Sequence, residues 1–279
     1  MSRLSRHGLR PPVLKWIAGG VVLAAMIGAA IFFDTSPQDV SLRFAAATQN
    51  LTEARRSGIL KANSSLTRMP LPEVDDATQR KMLFIAFLLP LILSENIYLE
   101  EQRRLAAKLP EDGDAYGELS ASYGLHENVP RDRLLAHIDT VPPSLVLAQA
   151  ALESAWGMSR FARQGNAFFG QRTYDTEASG MYPGDADKGE TLFKVKSFSN
   201  AQDSIRSYMK TLNSHGAYAE FRNLRAHLRH QNKAASGKAL APTLLNYSEI
   251  GSAYVKRLLA TIQASQMHVY DRIKLEFQG

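Results

Sequence analysis

Cysteine is missing from all 279 residues. Its absence excludes disulfides, thiolate nucleophiles and cysteine-based zinc sites together. A strong excess of one charge sign is missing too. Against 33 basic residues stand 27 acidic ones, for a formal net charge of +6. Half of that excess lies in the first 34 residues, where Arg3, Arg6, Arg10 and Lys15 face only Asp34. The remainder is too nearly balanced to attract polyphosphate, so no nucleic-acid partner is expected. There is no Gly-x-Ser-x-Gly elbow and no glycine-rich phosphate loop, which disfavours serine-nucleophile and nucleotide chemistry. The seven histidines are scattered, and only His227 and His230 are close, with no carboxylate at a metal-ligand spacing. No metal or other cofactor is expected. These two histidines read as part of a basic, solvated surface with Arg222, Arg225, Arg229 and Lys233. What the chain does have is 45% apolar and 22% charged residues, the composition of a folded globular body.

The longest uncharged apolar stretch runs from Trp16 to Phe33. Its 18 residues are just enough to span a bilayer as a helix, and its basic N-terminal flank predicts that this end stays in the cytoplasm. Residues 1–34 are therefore read as an uncleaved signal anchor, with a cleaved signal peptide as the alternative. The body would lie in the periplasm, tethered to the inner membrane in the first case.

Residues 35–72 are polar and interrupted by Pro37, Gly58, Pro70 and Pro72, which suggests a linker or stalk. The apolar run Met82–Leu93 is interrupted by Pro90 and is too short to span. It predicts a buried helix kinked at Pro90, within a helical lead-in over 73–129 packed on a main domain at 130–279. In that domain Pro143 opens a helix expected to reach about residue 157. Ser199 and Gln202 form a capping box for another, with Ile205, Tyr208, Met209 and Leu212 on one face. Tyr254, Val255, Leu258, Leu259 and Ile262 mark the last helix. Between the first two of these, residues 171–198 suit a small β-hairpin or extended loop. The fold class expected is mainly α with a small β lobe.

Glu153 is the only charged residue between Asp139 and Arg160, near the end of a helix built from Leu, Val, Ala and Trp. A lone carboxyl there is partly desolvated. Burial disfavours its charged form and raises its pKa, as suits a general acid that holds its proton near neutral pH. Glycosidic cleavage needs such an acid to protonate the departing oxygen. A solvated glutamate on an amphipathic helix would share the same composition.

The segment Leu147-Ala148-Gln149-Ala150-Ala151-Leu152-Glu153-Ser154-Ala155-Trp156-Gly157, followed by Gly165-Asn166-Ala167-Phe168-Phe169-Gly170-Gln171, resembles the signature of glycoside hydrolase family 73, the N-acetylglucosaminidases of peptidoglycan. Tyr208-Met209 and the Asn213 to Tyr218 element extend the resemblance, and Phe87-Leu88-Leu89-Pro90 and Tyr270-Asp271-Arg272 are similar to the Bax-like branch. The resemblance implies a lysozyme-like helical domain with a sugar groove, no metal, and cleavage of the β-1,4 bond after N-acetylglucosamine. It places Glu153 at the catalytic acid, with Tyr218, Asn166, Phe169, Gly170 and Trp156 about the substrate: Tyr218 with a direct role, Phe168 and Phe169 as aromatic walls or ordinary core, Asn166 and Gly170 shaping the turn beneath the cleft, and Trp156 shielding Glu153 or serving as a sugar platform. A second carboxylate belongs in the β lobe, where Glu190 is favoured over Glu177, Asp185 and Asp187; assistance by the substrate's own acetamido group is the other route. Ala155 departs from the family's usual glycine, a change expected to be tolerated if the backbone there is helical. The rival readings are a lytic transglycosylase on the same scaffold and a non-catalytic wall-binding or assembly protein.

Overall fold

The computed structural model describes residues 37–62, 76–127, 129–184 and 193–277. The apolar segment 16–33 lies outside them. Residues 37–62, expected to be a stalk, are instead part of the folded body. Helix α1 (Pro37–Ser57) buries Ala47, Leu51 and Ala54, and strand β1 (Ile59–Ala62) buries Leu60. The apolar residues of this stretch are few but share one face, so a polar average conceals a packing surface. Strand β1 runs parallel to the C-terminal β5 (Lys274–Phe277), pairing Leu60 with Leu275, which ties the two ends of the body together.

Helix α2 (Ala77–Ala106) begins at Asp76, whose side chain caps Gln79 N, and runs without a break across Pro90. By length and hydropathy it would cross a membrane, yet Leu83 to Leu89 are buried within the body. Phe84 meets Trp156 and Phe168 edge-on, at 5.5 and 6.4 Å between ring centroids. The expected buried lead-in helix is thus a core element. Short helices α3 (Asp114–Ser122) and α4 (Arg131–His137) follow, with a satellite core of Tyr116, Tyr123, Leu134 and Ile138.

The centre of the main core is α5 (Pro143–Ser154), in which all but Leu152 and Glu153 are buried. Helix α6 (Arg160–Gly165) leads to the β lobe. There β4 (Lys194–Lys196) lies between β2 (Arg172–Thr173) and β3 (Gly180–Met181), all antiparallel, so the expected hairpin is a three-stranded sheet. Helix α7 (Ala201–Ser214) is capped by Asn200, whose side chain accepts from Asp203 N, rather than by Ser199. The predicted face of Ile205, Tyr208, Met209 and Leu212 is buried. Helices α8 (Ala219–His230), α9 (Gly237–Leu240) and α10 (Ser252–Ala264) complete the bundle.

The basic surface expected on α8 does not exist as such, because Arg222 and Arg225 point inward. Arg222 donates to Leu212 O and His215 O at the end of α7. Arg225 donates to Ala136 O, Thr140 O and Asn213 Oδ1. Carbonyls left unpaired at helix C-termini attract cations, which explains why arginines rather than apolar residues occupy this inward face. Asp139, 1% exposed, completes the junction by accepting from Arg229 Nε at 2.9 Å and from its own neighbour Thr140 N at 2.8 Å. The loop that enters α5 is fixed among α4, α7 and α8 in this way.

Both ends of α5 are unusual. At its start Pro142 has no side chain able to cap, and the role falls to Asp271 from the other end of the chain. Asp271 accepts from Ser144 N and Ser144 Oγ, both at 2.8 Å, and from Gly237 N at 3.1 Å. A Cβ on Gly237 would lie 2.2 Å from Ser144 Oγ, so α9 approaches this closely only with glycine there. At its end α5 stops three residues earlier than expected. Ala155, Trp156 and Gly157 take φ of 51°, 58° and 79°, while Ser154 Oγ accepts from Gly157 N at 2.8 Å to hold the turn. The backbone at Ala155 is left-handed rather than helical, so the condition on which the extra methyl was expected to be tolerated is not met.

Two outcomes follow for thermal or denaturant unfolding. Asp271→Ala leaves the Ser144 and Gly237 amides without an acceptor and should cost about 1–3 kcal/mol. Ala155→Gly relieves a left-handed alanine and should raise stability by about 1 kcal/mol. An unchanged or lowered midpoint for Ala155→Gly would refute this account of the turn.

Candidate functional site

Glu153 emerges from the core in the last turn of α5 and is half-buried. Desolvation pushes its carboxyl above the usual carboxylate range; hydrogen bonding from Tyr254 and the Arg257 guanidinium, both on α10, pull the other way. Burial is the dominant effect, so a lone acid in an apolar helix is held toward its protonated form, as its sequence context predicts.

The Tyr254 hydroxyl is itself fixed. Gln149, fully buried one turn before Glu153, donates from Nε2 to Tyr254 OH at 3.0 Å, while Tyr208 OH donates to Gln149 Oε1. The amide thus occupies the Tyr254 lone pair, leaving the hydroxyl proton directed at Glu153. Around this chain the rings pack closely. Phe169 stacks on Tyr208 at 4.0 Å and 10°, and Tyr247 stacks on Tyr254 at 5.3 Å and 16°. Tyr218 lies 6.2 Å from Tyr247, and Tyr247 OH donates to Phe169 O at 3.2 Å. Burial pushes the Tyr208, Tyr218, Tyr247 and Tyr254 hydroxyls up, and the Glu153 charge adds to the effect on each. All four remain protonated donors or acceptors at neutral pH.

The expected substrate residues divide into two groups. Tyr218 and Gly170 gather beside Glu153, while Phe169, 3% exposed, packs into the core on Tyr208. Gly170, at φ 61°, passes so near that an added Cβ would lie 3.5 Å from Glu153 Oε2, which leaves the face of the carboxyl open. Asn166 and Trp156 shape the frame. Asn166 ends α6 at φ 50° and donates to Phe198 O at 3.0 Å, joining the turn to the β lobe. The Trp156 ring is engaged by Phe84 and lies under Lys81 Nζ at 5.1 Å. Phe168 is core, 1% exposed. Asn213, from the Asn213 to Tyr218 element, is buried away from the carboxyl, donating to Asp139 O at 2.9 Å.

Among the carboxylates considered for the second role, Glu177 is exposed in the β lobe, while Asp185, Asp187 and Glu190 lie outside the described residues. Gln149, Tyr247 and Tyr254 were not singled out by sequence reasoning. The signal for Gln149 was present as a neutral amide inside an otherwise apolar run. Tyr254 was read only as a core position of the last helix, and nothing local marks Tyr247. No cluster of three or more His, Asp or Glu suited to a metal occurs among the described residues.

The family model described as glucosaminidase, mannosyl-glycoprotein endo-beta-N-acetylglucosaminidase, matches residues 133–267. Protein bax of Escherichia coli (strain K12) is 30% identical over 211 residues, covering 70% of this chain and 73% of that protein. The catalytic domain of the autolysin Auto from Listeria monocytogenes superposes with a TM-score of 0.42 at 15% identity, covering 72% of this chain and 92% of that one. The signature around Glu153 lies inside the matched region, and the chain belongs to the glucosaminidase family of glycoside hydrolases, as a Bax-like member.

Proposed function

We propose that this protein hydrolyses the β-1,4 bond after N-acetylglucosamine in peptidoglycan, with Glu153 as the general acid. The observation that carries the reading is the setting of Glu153: one carboxyl, half-buried and pushed up by desolvation, beside the exposed Gly170 and close to the hydroxyls of Tyr218 and Tyr254. The protonated carboxyl gives its proton to the departing glycosidic oxygen, and positive charge builds on the anomeric carbon as the bond breaks. The resulting Glu153 carboxylate is met by the Tyr254 hydroxyl, whose donation strengthens as negative charge appears. Gln149 and Tyr208 keep that hydroxyl aimed. Tyr218 offers its hydroxyl to the sugar, with Phe169 packed behind the site on Tyr208. Attack on the far face is assigned either to a water activated by Glu190 or to the substrate's acetamido oxygen. The body is proposed to act in the periplasm, tethered to the inner membrane through residues 16–33.

Digestion of purified peptidoglycan tests the reading. Wild type should release fragments ending in reducing N-acetylglucosamine, identified by mass, while Glu153→Gln should keep the fold and lose about 10²–10⁴-fold in rate. Anhydro ends would transfer the enzyme to the lytic transglycosylases. Wall binding without products from either protein would favour the non-catalytic reading.

A second outcome concerns pH. The reactive form of Glu153 is protonated, so kcat/KM falls as pH rises through its pKa. Tyr254 stabilises the carboxylate, and Tyr254→Phe raises the Glu153 pKa further. The alkaline limb should therefore move to higher pH in that variant even as its maximal rate drops. A limb that stays in place would detach Tyr254 from the titration.

A further inference from the structure

Across α7 from Glu153 the structure holds a cavity of about 470 Å³, a size suited to a small ligand or a short segment of one. Its floor is Tyr123, 4% exposed, and its walls come from α2, α3, α7 and the end of β4. Two carboxylates and three cations line it, but they are not equally occupied. Glu95, 3% exposed, is held by Arg206 at 3.3 Å and by Gln202 at 2.9 Å, and Asp203 also pairs with Arg206. Lys210 and Lys196 have no carboxylate within ion-pair distance among the described residues. Lys210 Nζ rests 3.1 Å from the Tyr123 ring centroid, with Ser122 Oγ at 3.5 Å, and Lys196 Nζ lies 5.3 Å over Phe198.

A half-buried ammonium that faces a cavity with only a ring and one distant hydroxyl as company has lost water without gaining an anion. Burial accordingly pushes Lys210 down to about 8. An anionic group entering the cavity would supply the missing partner. The two acidic groups beside it make a polyanion a poor fit, whereas a segment carrying a single carboxylate matches the small positive excess.

The cavity is joined to the surroundings of Glu153 by one short stretch of chain. Gly170 stands against Glu153, and the next residue, Gln171, donates to Ser207 Oγ in the cavity wall at 3.1 Å. The Gln171 carbonyl also accepts from Lys196 N at 2.8 Å. Tyr208 faces Glu153 while its neighbours Ser207 and Lys210 face the cavity, so the two sites are separated by the width of one helix, about 10–12 Å. Four extended residues of a peptide reach about 13 Å.

We propose that this cavity is a peptide-stem subsite, in which Lys210, assisted by Lys196, receives a carboxylate of the peptide attached to the glycan being cut. The proposal rests on the peptidoglycan reading above and adds to it a preference for glycan that still carries its peptides.

The test measures equilibrium binding of soluble glycan fragments of one length, with stems intact or enzymatically removed, to the full chain bearing Glu153→Gln. The stemmed fragment should bind about tenfold more tightly. Adding Lys210→Met should abolish that difference and leave binding of the bare fragment unchanged, while Lys210→Arg should retain it; unchanged unfolding midpoints would show that all variants are folded. Equal binding of the two fragments, or a preference that survives Lys210→Met, would overturn the subsite alone. Binding of neither fragment would overturn the glycan reading together with it.

Discussion

Helix α5 is buried along nearly its whole length, and the position of Glu153 is a consequence of where that burial ends. Leu145, Val146, Leu147 and Ala148 are completely inaccessible, and each large side chain contributes about 1.5–3 kcal/mol by leaving water. Ser154 and the left-handed turn after it stop the helix one residue past Glu153. The carboxyl is thereby presented from the edge of the core, rigidly held and only partly hydrated. A surface helix could offer the same residue with far less effect on its proton affinity.

The surroundings of α5 serve that placement from both ends. Asp271 caps the first turn from the C-terminal segment, while the Asp139 and Arg225 network locks the loop that leads into it. Buried ion pairs of this kind add little net stability over a well-packed apolar junction, but removing one partner is costly, so they define a single arrangement. The lead-in helix α2 packs Phe84 against Trp156 and Phe168, bracing the left-handed turn from outside. Strand β1 on β5 then joins the first described elements to the last.

Hydrogen bonding rather than charge orders the surroundings of Glu153. Tyrosines 208 and 254 and Gln149 form a chain that runs from the Tyr208 hydroxyl through the amide to Tyr254 and Glu153, with Arg257 as the cation acting on the Glu153 titration. Such a set of fixed dipoles would need little rearrangement on the proton transfer from Glu153 proposed above.

Much of this was legible from the sequence for simple reasons. Apolar periodicity located α5, α7 and α10, because one-sided burial must repeat at the helical period. The isolation of Glu153 in an apolar run signalled desolvation, since a charge without polar neighbours in sequence also lacks them along its own helix. Three things required the tertiary structure. The stretch 37–62 looked like a stalk because its few apolar residues match partners far away in the chain. Arg222 and Arg225 looked solvated because the carbonyls that satisfy them belong to other helices. The company of Glu153, above all Tyr247 and Tyr254, comes from segments about a hundred residues distant. Local sequence determines which face of an element must avoid water, whereas hydrogen-bond partners across the core are set only when separate elements meet.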